Sequence, residues 1–186
     1  MNLDRLRVLA IDPGTKQLGV AVLEGNDLIY YAVKTIHDRS TSLKVLQQIA
    51  ELTRTLIGTY GPDYLAIERT FLIQRSAALL SVATAEIKSV ARAFKLPIYE
   101  YKPSTIRRFI CDSDTAKKRD VAIAIGQRFP ELSRHLRTLN RWDEIYYANI
   151  FDAVGVGLMC QHELAVGPNV MNEEIRKWES RGKQAA

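Results

Sequence analysis

Three carboxylates stand where acids are costly: Asp12 closes the apolar run Arg7–Asp12 (RVLAID), Glu68 closes Tyr64–Glu68 (YLAIE), and Asp152 interrupts IFDAVGVGLM. An unpaired buried charge costs several kcal/mol, so each acid requires a cation or hydrogen-bond partner. If the two strand ends are neighbours and a helix carries Asp152 over them, the three converge. Such an oxygen-rich site suits Mg²⁺, which takes a few carboxylates and completes its octahedron with water and phosphate. Two such ions can activate water and stabilise the leaving oxygen in phosphodiester cleavage. Singly each acid has a plainer explanation. Asp12-Pro13-Gly14 is also an ordinary turn sequence, Glu68 is able to pair with Arg69 or a helix lysine, and Asp152 is able to bridge locally.

The elements that must position these acids are legible in the apolar pattern. Arg7–Asp12, Leu18–Leu23 and Leu28–Val33 read as an antiparallel meander, with Gly25-Asn26-Asp27 as its second turn. Leu43–Thr59 has helical spacing and is expected to stop at Gly58 and Gly61. A fourth strand follows at Tyr64–Glu68, then a helix at Ser76–Phe94 and a fifth strand at Pro97–Tyr101. Helices are expected near Pro103–Ile110, Thr115–Phe129 and Glu144–Cys160. The pattern is α/β with a five-stranded mixed sheet flanked by helices. The expected domain is 1–165, followed by a tail at 166–186 with a short helix near Asn172–Glu179. Neither a GxGxxG nor a Walker sequence is present.

Charge suggests a polyanionic partner. The 186 residues hold 26 basic and 21 acidic side chains, and the excess is concentrated: residues 100–141 carry 10 basic against 5 acidic, residues 142–186 only 4 against 7. A basic middle suits phosphates, although a mixed solvated surface also accounts for it. Lys117, Lys118 and Arg119 cluster where a helix begins, a place unfavourable for cations unless a phosphate is held there. The 47% apolar and 25% charged composition is that of a globular chain. No apolar run approaches the length of a membrane span. The acid-bearing N-terminus lacks a secretory pattern, and Cys111 and Cys160 are too few for a disulfide scaffold, so a cytoplasmic location is expected. His37, His135 and His162 have no metal-ligand spacing.

Taken together, Leu9-Ala-Ile-Asp-Pro-Gly-Thr-Lys-Gln-Leu-Gly19, Asp63-Tyr-Leu-Ala-Ile-Glu68 with Phe71, and Asp152-Ala-Val-Gly-Val-Gly resemble the RuvC family of Holliday junction resolvases in order and spacing. The resemblance implies an RNase H-like fold. It also implies a homodimer that nicks four-way DNA junctions in two symmetric places, leaving 5′-phosphate and 3′-hydroxyl ends, with two Mg²⁺ or Mn²⁺ per site. Asp12, Glu68 and Asp152 would be metal-binding catalytic residues. Phe71 would stand near the branch point, and Arg107 and Lys118 would contact DNA, with Lys117 and Arg119 beside them. A branch-migration helicase is an expected partner. The family's usual fourth acid, three residues before the last, is replaced by Asn149. It shares a helix face with Asp152 and offers a neutral oxygen. Glu144 lies about 12 Å farther along a helix axis than Asp152, too far to substitute. Two other readings stay open: an RNase H-like nuclease acting on RNA or an RNA–DNA hybrid, and a junction-binding protein with a weakened metal site.

Overall fold

The computed structural model describes residues 5–69, 77–113, 115–136 and 141–184. Strands β1 (Arg7–Asp12), β2 (Gln17–Glu24), β3 (Asp27–Thr35), β4 (Tyr64–Glu68) and β5 (Ile98–Tyr101) form one sheet in the order β3-β2-β1-β4-β5. The β1–β2 and β2–β3 pairs are antiparallel, whereas β1–β4 and β4–β5 are parallel. This is the mixed five-stranded sheet expected from the sequence.

Helices cover both faces. On one side α1 (Ser42–Tyr60) and α2 (Ala77–Ala93) pack on Leu9, Ile11, Leu65 and Ile67. On the other lie α3 (Pro103–Cys111), α4 (Lys118–Arg128) and the long α5 (Arg141–Val166), against Val8, Ala10 and Ala66. Side chains alternate along a strand. Asp12 follows Ala10, and Glu68 follows Ala66, by two residues each. Both acids therefore sit on the α5 side, which is also the side of Asp152.

Several boundaries differ from expectation for local physical reasons. Gly58 lies inside α1, and the stop is Gly61, a left-handed residue (φ 52°) whose N–H donates to the Ile57 carbonyl. Helix α4 begins at Lys118 rather than Thr115, because the Asp120 carboxylate accepts from the Lys117 N–H at 2.8 Å and fixes Lys117 as the N-cap. A 3₁₀ segment, Pro130–Leu136, follows α4. The tail is not a short helix but a 17-residue one, α6 (Pro168–Gln184), entered through Gly167 (φ 83°) with Pro168 at its first position. Met171 of α6 is buried, and the His162 ring of α5 lies 2.7 Å from a Glu174 oxygen. The tail thus packs on the body.

Candidate active site

Register brings the first two acids together. In the parallel β1–β4 pair, Ile11 lies opposite Ile67, so the next residues, Asp12 and Glu68, end adjacent strands side by side on one face. Helix α5 brings the third by lying close to β1 and β2. Small residues make that approach feasible: a β-carbon on Gly157 would fall 2.3 Å from Leu23 Cδ1 and 3.1 Å from Ala10 Cβ. Nearer the site, Gly19, which pairs with Asp12 across β1–β2, meets the Asn149 backbone of α5.

The electrostatics record the convergence. Burial first, then the charges of Glu68 and Asp152, raise Asp12 well above the usual carboxylate range, with Lys118 opposing. Burial and then Asp152 push Glu68 up to about 7, against Lys118 and Arg107. The ammonium of Lys118 donates to Asp152 Oδ2 at 2.5 Å, with the lysine side chain 68% exposed and the aspartate 14%. Burial would lower Lys118, but Asp152 and then Asp12 and Glu68 more than offset it, and its pKa rises. The structure thus brings together Asp12, Glu68, Asp152, Lys118 and Arg107.

Asn149 lies one turn before Asp152, and its side-chain Nδ2 donates to its own helix, at the Tyr146 carbonyl (3.4 Å). Lys117 and Arg119, both exposed, line the same cavity as Lys118 and Asp152. Phe71 lies outside the described residues. The role of Lys118 beside the carboxylates was hidden in the sequence, where Lys117-Lys118-Arg119 has the look of a solvated charge run. The resemblance singles out Lys118 as a DNA contact, and the tertiary approach of α4 to α5 gives it a carboxylate partner.

Among the described residues no three His, Cys, Asp or Glu side chains close into a preformed metal cage. The donor set nevertheless fits a hard divalent ion. Three carboxylates repel one another at a buried strand end, and the cations that reach them, Lys118 and Arg107, leave two of the three with raised pKa values. A Mg²⁺-type site supplied partly by water and phosphate needs no closed cage.

Comparison with known proteins identifies the family. The family model for crossover junction endodeoxyribonuclease RuvC matches residues 8–155. The chain belongs to the RuvC family. A curated RuvC from Heliobacterium modesticaldum is 30% identical to this RuvC-family chain over 168 residues, covering 86% of the chain and 96% of that relative. One from Acidiphilium cryptum is 28% identical over 174 residues, covering 89% of the chain and 96% of that relative. In fold, the chain resembles T. thermophilus RuvC in complex with a Holliday junction substrate, with a TM-score of 0.71, 19% identity and coverage of 88% of this chain and 97% of that one. The yeast mitochondrial Holliday junction resolvase gives a TM-score of 0.66 at 14% identity, covering 90% of this chain and 84% of that one. The RNase H-like α/β fold expected for this RuvC-family chain is therefore the one observed.

Proposed function

We propose that this RuvC-family chain is a metal-dependent, structure-selective endodeoxyribonuclease that resolves four-way DNA junctions by paired nicks. The observation that carries the reading is the meeting of Asp12, Glu68 and Asp152 at one end of the sheet, with Lys118 on Asp152. Asp12, Glu68 and Asp152 would hold Mg²⁺ or Mn²⁺, two ions per site, and Asn149 would offer a neutral oxygen once its amide leaves the Tyr146 carbonyl. Bound there, the ions would supply an activated water and charge relief at the leaving 3′ oxygen, the chemistry that leaves 5′-phosphate ends. Lys118 fixes Asp152 and brings a positive charge to the scissile phosphate. Arg107 offsets the charge of Glu68. Lys117 and Arg119 hold flanking phosphates, which position the strand without reading its sequence. Phe71 stacks on a base near the branch point.

A C₂ dimer matches the pseudo-twofold symmetry of a four-way junction. The small-residue stripe of α2, Ala77, Leu80, Ala83, Ile87, Val90 and Ala91, reads in the sequence equally as a dimer contact and as core, and of these Ala83, Ile87, Val90 and Ala91 are buried in the protein's own core. The opposite face of α2 presents Ala78, Val82, Ala85 and Ser89 to solvent at helical spacing, and Val82 is 48% exposed. We assign the dimer contact to that face. Among the described residues no helix is long and apolar enough to cross a membrane, and the enzyme is expected to work in the cytoplasm with a branch-migration helicase.

Competition cleavage tests the substrate. A four-way junction, a linear duplex and an RNA–DNA hybrid of the same sequence are offered together in Mg²⁺ or Mn²⁺. Preferential cutting of the junction supports the proposal. Preferential cutting of the hybrid replaces the substrate and keeps the metal site, and tight junction binding with no cutting in either metal leaves a binding protein.

A further inference from the structure

Beside the Lys118–Asp152 pair a cavity of about 530 Å³ opens between α4, α5 and the 3₁₀ segment. Its volume lies in the range of small-ligand sites. Its walls are apolar: Ala122 and Ile123 of α4, Leu136 of the 3₁₀ segment, and Ala148 and Phe151 of α5. Ile123 is 43% exposed there, an unusual use of isoleucine on the first turns of a basic helix. His135 also lines the cavity, with its ring packed on Tyr147 at a centroid distance of 4.2 Å. Burial and then Arg134 lower its pKa, so the ring is neutral near pH 7 and suited to stacking. Arg134 Nε donates to His135 Nε2 at 3.2 Å, which fixes the ring's orientation.

Charge and position select the occupant. Lys117 and Arg119, both exposed, line the same cavity, and Lys118 and Asp152 complete it. An apolar slot with cations around it matches a flat, uncharged ring attached to phosphates on either side. A peptide or lipid would match the apolar walls but not three clustered cations directly beside the carboxylates that would hold the metal at the scissile phosphate. We infer that this cavity receives an unstacked nucleobase of the strand being cut, next to the scissile phosphate, and that its walls set the sequence preference of cleavage. The inference rests on the nuclease reading above and extends it from phosphate chemistry to base selection. Phosphate contacts carry no sequence information, whereas a slot of fixed shape discriminates among bases by size and stacking.

The test uses synthetic four-way junctions with a change at one nucleotide beside the cut site. A mismatch there loosens the base and lowers the cost of extruding it. An abasic residue at the same place lowers that cost too but leaves nothing to fill the cavity. Cutting rates are measured in Mg²⁺ and junction affinities in Ca²⁺, for the wild type and for Ile123→Trp, which fills the cavity from an exposed position. Base–aromatic stacking is worth about 1–3 kcal/mol per base, so the wild type is expected to favour the mismatched over the abasic junction by about tenfold. Ile123→Trp is expected to treat the two alike and to lose the bias among different core sequences. If the wild type cuts junctions but handles mismatch and abasic equally, or if Ile123→Trp keeps the full difference, the base-pocket inference is overturned while the nuclease reading stands. If the wild type neither cuts nor prefers any junction, both fall together.

Discussion

The Asn149 carbonyl of α5 occupies the space a side chain on Gly19 would need: a β-carbon there would lie 1.8 Å from that oxygen. Because Gly19 pairs with Asp12 across β1–β2, this contact sets how closely α5, and with it Asp152, approaches the strand that carries Asp12. The obstacle is backbone on both sides, so no rotamer change relieves it.

Gly19→Ala is therefore expected to push α5 off the sheet, costing about 1–3 kcal/mol as overpacking does, and to reduce junction cutting by more than the lost folded fraction explains. Gly58→Ala is the counterpart, with open space around its β-carbon inside α1, and is expected to stabilise by about 0.5–1 kcal/mol. Thermal melts beside cutting assays at a temperature where both variants are folded check the pair. A Gly19→Ala protein with wild-type melting and cutting would remove the contact from the account.

Lys118→Met is expected to lower kcat by about 10–100-fold with little change in junction affinity, since the ammonium's partner is Asp152 at 2.5 Å. A lysine serving only as a phosphate contact would behave otherwise, weakening binding on all sequences and reducing the salt slope by about one. Single-turnover rates and a salt titration of binding separate the two behaviours. Partial rescue by Lys118→Arg is expected, because the charge is kept and the point geometry is not.

Metal-free stability should fall as pH rises through neutrality. Glu68 ionises near 4.5 when unfolded and at about 7 in the folded protein, so over that window the folded state binds more protons than the unfolded one. Its contribution is thus greatest below about pH 4.5 and is lost by about pH 7. The wild-type melting temperature in chelator, measured relative to Glu68→Gln, is expected to drop between about pH 5 and 7.5. Asp12→Asn, which removes one of the repelling charges, should melt higher than wild type at neutral pH. Added Mg²⁺ or Mn²⁺ should narrow that gap. A difference between wild type and Glu68→Gln that grows with pH in the wild type's favour would contradict the assignment.

How much of this was legible follows from what each residue's signal depends on. Asp12 and Glu68 announced themselves because an acid that ends an apolar strand is visible within six residues. Their adjacency was not, since it depends on β1 pairing with β4 across a 56-residue separation and on the register Ile11 to Ile67. The small-residue stripe of α2 was equally good evidence for an internal core and for a dimer, and packing decided for the core. Helix α6 carried its own start signal, Gly167-Pro168, but its polar composition masked its buried anchor, Met171.

Asn149→Asp restores the acid common in the family and is expected to lower the Mg²⁺ concentration needed for half-maximal cutting several-fold, with the maximal rate changed by less than about tenfold. A metal titration of junction cutting measures both. If the wild type is inactive and Asn149→Asp creates cutting from nothing, the natural chain is a junction-binding protein instead.

The most direct test is strand-resolved nicking of one synthetic four-way junction by the wild type and by Asp12→Asn, with and without Mg²⁺ or Mn²⁺. Paired nicks at symmetric positions, with 5′-phosphate ends, dependent on the metal and absent from Asp12→Asn, are the predicted result. Nicking that persists in Asp12→Asn, or an intact junction in both metals despite tight binding, would contradict the three-carboxylate site at the centre of the account.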